Sequence, residues 1–149
     1  MNTIGKKVPT IARYLLGTIF FVFGLNGFLH FLPQPPLEGG AGALAGAFAA
    51  SGYMFPLIKG TEVLGGLALL SNRFSPLALI ALAPVTINIL AFHAFLAPSG
   101  MPVPLLVLAA HLAAAYGYRD LFRPLLRAKN ELTDARASER TRHAAHAAA

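Results

Sequence analysis

The sequence predicts an all-α membrane protein: a four-helix transmembrane bundle with both termini on the cytoplasmic side and a short extra helix in the first outer loop. Three observations predict it. Hydrophobic residues make up 56% of the 149 residues and charged residues only 12%, against about 25% charged in ordinary soluble domains. Four long apolar stretches are set off by Pro- and Gly-containing breaks. Lys and Arg gather in some of the connecting segments and are absent from the others.

Taken in order, residues 1–12 read as a short head carrying Lys6 and Lys7. Residues 14–32 then contain no Asp, Glu, Lys or Arg, a run long enough for a tilted span, because about 20 apolar residues cross a bilayer. A cleaved signal peptide would place a small-x-small site directly after a shorter apolar core. The nearest candidate, Ala47-Phe48-Ala49, comes too late, so the first helix is read as retained. Pro33, Pro35, Pro36 and Gly39-Gly40 end it. Residues 41–51 are rich in small side chains, with Leu44 and Phe48 four apart; this is too short to span and predicts a helix at the surface or dipping between spans.

The second span is read over residues 54–70 and stops at Ser71-Asn72-Arg73. Pro76 opens the third, to about residue 95, and Pro84 within it removes a backbone donor and predicts a bend. After Ala97-Pro98-Ser99-Gly100 the fourth covers residues 102–118, with Tyr116 and Tyr118 as interfacial anchors. From Arg119 the chain turns basic: Arg119, Arg123, Arg127 and Lys129 flank Leu121, Phe122, Leu125 and Leu126, a pattern expected to lie on anionic headgroups. The transmembrane domain is thus read as residues 1–127. Residues 128–149 form a mobile basic cytoplasmic tail, in which His143 and His146 are read as solvated.

Charge sets the orientation. Of the 12 Lys and Arg residues, Lys6, Lys7 and Arg13 precede the first span, Arg73 lies between the second and third, and seven follow the fourth. Only Lys59 lies within a span. The positive-inside rule puts both termini in the cytoplasm of a bacterial-type inner membrane. The net charge of +6 and the pI near 10.2 then follow from topology, and no nucleic-acid partner is expected. With no cysteine in the chain, disulfides, Fe–S clusters and thiol relays carried by it are excluded.

The strongly polar side chains of the spans fall at one depth. Asn26 and His30 lie near the end of the first span, Lys59 and Glu62 near the start of the second, and His93 in the later half of the third. His111 lies about 13 Å into the fourth. Lys59 and Glu62, three apart, share a helix face. We expect these six residues to form one ligand-binding pocket in the outer half of the bilayer. Asn88 points about 140° from His93 on a straight helix and is expected to bond a neighbouring helix instead.

At residues 13–31 (RYLLGTIFFVFGLNGFLHF), 55–96, which contain Lys-x-x-Glu-x-x-Gly-Gly from Lys59 to Gly66, and 118–126 (YRDLFRPLL), the chain resembles the DoxX family of small four-helix membrane proteins. The resemblance covers residues 13–126. It implies the four-helix bundle, and for some members a role as a membrane subunit similar to that of thiosulfate:quinone oxidoreductases or a place in oxidative-stress complexes.

Each polar group has a functional and a structural reading. Lys59 and Glu62 are either an ion pair with Lys59 snorkelling toward the interface, or a cation and a proton carrier for a ligand. The span histidines have ligand types suited to a metal, but no i, i+4 pair, and no metal site is expected. Haem ligation needs a wider cavity. Hydrogen bonding to a quinone carbonyl is the leading ligand reading, with electrons supplied by a redox partner protein, since the chain holds no redox centre. The rival is a non-enzymatic membrane scaffold with a structural Lys–Glu pair. The glycines Gly17, Gly24, Gly27, Gly65 and Gly66 are read as helix-packing points.

Overall fold

The computed structural model describes residues 3–33 and 36–126; the expected tail over 128–149, with His143 and His146, lies outside them. All regular structure among the described residues is helical. The helices are α1 (Thr3–Leu29), α2 (Gly39–Ala50), α3 (Met54–Leu70), α4 (Ser75–Leu96), α5 (Pro102–Gly117) and a single turn, α6 (Arg119–Phe122). Short 3-10 turns occupy Pro98–Gly100 and Arg123–Leu126.

Helices α1, α3, α4 and α5 pack in a ring, α1 against α3 and α5, and α4 against the same two. Neighbours run antiparallel. Gly17 of α1 meets Gly66 and Leu69 of α3, while Gly27 further along α1 meets Lys59 near the start of α3. Pro9 of α1 lies on Gly117 at the far end of α5, and Thr86 of α4 bonds His111 of α5. The interior is filled by Leu16, Phe20, Leu69, Leu79, Leu82 and Val107, with the small side chains of Ala78, Ala110 and Ala114 also buried.

The outward face is as apolar as the core. Leu64, Leu67, Ile87, Phe95 and Leu112 are all half or more exposed, a surface that water would penalise and lipid would not. Two helices are long and apolar enough to cross a membrane, within Lys7–Leu29 and Ser75–Leu96, at mean hydropathies of 1.6 and 2.0. A third such segment arises if α2 and α3, bent by 92° at their junction, are counted together. Helix α5 is apolar but shorter.

The helices of the ring after α1 lie within a residue or two of their sequence-predicted bounds, but the head does not. Helix α1 begins at Thr3 and runs through Pro9, so residues 3–12 are helix rather than a separate head. A proline costs a helix the bond from its own missing N–H, and here its ring gains a seat against the bare Cα of Gly117. The extension places Arg13 well inside α1, where it is buried. Its guanidinium donates to the carbonyl of Leu69 in the last turn of α3 and lies 4.1 Å from the Tyr14 ring centroid. A cation at a helix C-terminus is favoured by the unpaired carbonyls and the macrodipole, so Arg13 is a tie between α1 and α3.

Compactness divides the chain after Arg119. In the second unit, Arg123 and Asp120 form an exposed ion pair at 3.5 Å, of a kind that contributes little to stability. Leu121, Leu125 and Leu126 are exposed.

Candidate functional site

The site lies at the end of the ring where α1 stops, α3 starts and α4 nears its end. Helix α1 ends on His30, which takes a left-handed conformation (φ 51°) while its N–H still reaches the Asn26 carbonyl at 2.9 Å. The buried Asn26 side chain then accepts from the Leu32 N–H at 2.6 Å, pairing a backbone donor of the segment that leaves α1. Beyond the loop, Gly39 (φ 57°) and Gly52 (φ 73°) turn the chain on either side of α2. One face of α2, Ala41, Leu44, Ala45 and Phe48, is turned inward. Phe48 meets Phe55 edge-to-face at 6.3 Å.

Under α2 is a cavity of about 640 Å³. Its walls are mostly apolar, with Leu44, Phe48, Ile58, Val85, Ile89 and Phe92 among them. Five of the six sequence-predicted site residues line it: Asn26, His30, Lys59, Glu62 and His93. Lys59 Nζ is 3.0 and 2.8 Å from the two oxygens of Glu62, and the Glu62 side chain is only 3% exposed against 21% for Lys59. The pair sits in a groove of α1. A Cβ on Gly24 would come within 2.9 Å of Glu62 Cβ, and one on Gly27 would strike the aliphatic stem of Lys59. Small residues on α1 thus admit two long charged ones from α3.

The sixth residue, His111, is not in the cavity lining. It is buried between α5 and α4, with Nδ1 2.8 Å from Thr86 Oγ1. The Thr86 hydroxyl also lies 3.0 Å from the Leu82 carbonyl, and the His111 ring meets the Leu79 backbone as well. Depth alone grouped His111 with the others; its direction, set by a partner on α4, separates it. Replacing Thr86 with Val should cost about 1–3 kcal/mol, because it leaves the buried His111 Nδ1 without its hydroxyl partner. Thermal unfolding of the purified protein would measure it, and an unchanged midpoint would show that the bond contributes nothing.

Asn88 also differs from expectation. It lines the cavity together with His93 rather than bonding a neighbouring helix. The lining residues of α4, Val85, Asn88, Ile89, Phe92 and His93, sweep an arc of about 140° at 100° per residue, so the cavity wraps round the helix and takes both. The His93 ring folds back, Nδ1 donating to the Ile89 carbonyl at 2.8 Å, and packs on the Cα of Gly100. The lining contributed by α2 had only a faint sequence signal, the four-residue spacing of Leu44 and Phe48. Among the described residues no three His, Cys, Asp or Glu side chains gather as metal ligands would.

Compared with known protein families, curated proteins and solved structures, the chain matches none.

Proposed function

We propose that this chain is a non-enzymatic, multi-pass membrane protein, a scaffold or accessory subunit in which Lys59 and Glu62 hold α3 to α1. The observation that carries this reading is the closure of the pair. Glu62 is enclosed, both its oxygens face the Lys59 ammonium, and the lysine stem is bedded on Gly27. The other polar groups have structural work too: Asn26 holds the backbone of Leu32 just past α1, His93 is bonded to its own helix, and His111 is tied to Thr86. No buried side-chain nitrogen or oxygen among the described residues lacks a partner.

In this reading α1, α3, α4 and α5 all cross a bacterial-type inner membrane as a DoxX-like bundle, with α2 bent over its outer end. At 17 and 16 residues, α3 and α5 are about 26 and 24 Å long, which lipid accommodates by local thinning. Arg73, Arg13 and Arg119 share one end of the ring, which the positive-inside rule assigns to the cytoplasm. Because the chain has no cysteine, single cysteines report topology cleanly. In intact cells a membrane-impermeant maleimide should label Ser51→Cys and Ser99→Cys but spare Ser71→Cys. Labelling of Ser71→Cys would overturn the topology.

A second reading, a quinone-interacting subunit of an oxidoreductase assembly, is favoured by one observation: an apolar cavity edged by Asn88, His30 and His93, the kind of setting that suits a small amphiphile with a polar head. The two readings separate on one protein. If Lys59→Met/Glu62→Leu folds and still supports its cellular role, the scaffold reading stands; if it folds and fails, the pair acts on a ligand. A quinone-dependent thermal shift of the purified chain is required by the second reading alone.

A further inference from the structure

We infer that the cavity under α2 is a binding site for an uncharged single-chain amphiphile, whose head takes the remaining N–H of Lys59, and that Glu62 is the residue excluding anionic heads. Three features lead there. The first is size and lining: about 640 Å³, walled mostly by apolar side chains, falls within the roughly 300–1,000 Å³ range of small-molecule pockets. The second is charge. Among the described residues, Lys59 and Glu62 are the sole Asp, Glu, Lys or Arg in the lining, and they cancel.

The third feature is donor arithmetic. An ammonium has three N–H groups, and Lys59 directs at most two at the carboxylate oxygens. With part of its side chain exposed, the third has no acceptor among the described residues. A hydroxyl or carbonyl oxygen entering the cavity can accept it and gives up little hydration. An anionic head would have to shed its hydration and approach the Glu62 carboxylate, which sits against the same nitrogen, so the attraction it finds does not repay the cost. Glu62 therefore acts twice: it anchors Lys59, and it makes a lysine pocket unattractive to anions. The inference concerns the cavity alone and stands or falls separately from the scaffold reading, which is decided by the cellular role of Lys59→Met/Glu62→Leu.

The test uses a matched pair of probes on the purified full chain at pH 8, above the ordinary imidazole range: 1-monooleoylglycerol and 1-oleoyl-lysophosphatidate, which share tail and glycerol and differ by a phosphate. Native mass spectrometry from a non-ionic detergent counts bound probe. The wild-type chain should bind the uncharged glyceride about tenfold or more tightly than the phosphate. Glu62→Gln, which keeps the shape and frees the ammonium charge, should reverse or abolish that preference. Ala45→Trp, which fills the cavity from α2, should remove both. Decylubiquinone, also uncharged, serves as a third probe. Its binding relative to the glyceride tells a quinone head from a lipid head, and uptake of either one fits the inference. Equal or tighter binding of the phosphate by the wild-type chain would overturn it, as would a preference untouched by Glu62→Gln or binding that survives Ala45→Trp. Should Glu62→Gln fail to fold, the wild-type ratio and the Ala45→Trp protein still decide.

Discussion

Lys59→Met alone should lower the stability of the protein by about 3–5 kcal/mol, more than either Glu62→Leu or the two changes together. The order follows from unequal burial. With Lys59 gone, the Glu62 side chain remains 3% exposed, and its carboxylate loses the ammonium that both its oxygens face. With Glu62 gone, the lysine is left at 21% exposure and on a four-carbon stem, so it can swing its head toward the cavity mouth and the interface. That change should cost only about 1–2 kcal/mol. In Lys59→Met/Glu62→Leu no charge is stranded, Met lies along the same bed on Gly27, and Leu keeps the Cβ contact with Gly24. Replacing a buried ion pair by apolar residues of similar volume is often neutral or better, so the double protein should fall within about 1 kcal/mol of wild type. Unfolding of the three variants in a mild detergent reads the series. If Lys59→Met proved no less stable than the double variant, the enclosed carboxylate would not be the costly member, and the structural role assigned to the pair would be lost.

The same pair shows what could be read from the chain alone. Lys59 and Glu62 are three apart in an apolar run, which dictates that they meet on one helix face, and they do. The bounds of α3, Met54–Leu70, follow equally directly from Ser71-Asn72-Arg73 closing an apolar run. What the order of residues conceals is direction about each helix axis relative to the others. Thr86 and His111 lie 25 positions apart, and nothing local announces that they bond. Asn88 and His93 diverge on a straight helix, yet both reach the cavity, because the cavity is wide and α2 closes it from above. The sequence puts Arg13 before the first span, whereas α1 already runs from Thr3 through Pro9; the groove at Gly117 that accepts Pro9 is a feature of α5, remote in sequence. Position along a helix is written in the spacing of residues, whereas direction about its axis depends on partners from other helices.

Glycine supplies the other half of the α1–α3 contact, and two positions one and a half turns or so apart on α3 should respond to the same substitution with opposite signs. A methyl group on Gly66 would come within 2.5 Å of the Phe21 nitrogen and 2.9 Å of the Gly17 carbonyl oxygen. Both are main-chain atoms in the middle of α1, so no side chain can move aside, and the helices must separate. Separation would loosen the neighbouring contact of Gly17 with Leu69 as well. Gly66→Ala is therefore expected to destabilise by about 2–3 kcal/mol, at the upper end of overpacking costs, and a larger residue by more. Gly60, on the same helix, has nothing within 4 Å of the place where its Cβ would stand. There Gly60→Ala meets open space and should stabilise by about 0.5–1 kcal/mol, the helix propensity a glycine forfeits. Because both changes add one methyl to one helix, differences in detergent binding or in the unfolded state largely cancel between them, and what remains is the contact. Unfolding of the two proteins under one condition should place wild type between them. If Gly66→Ala were as stable as Gly60→Ala, the main chains of α1 and α3 would not touch there, and the groove that seats Lys59 and Glu62 would lose its basis.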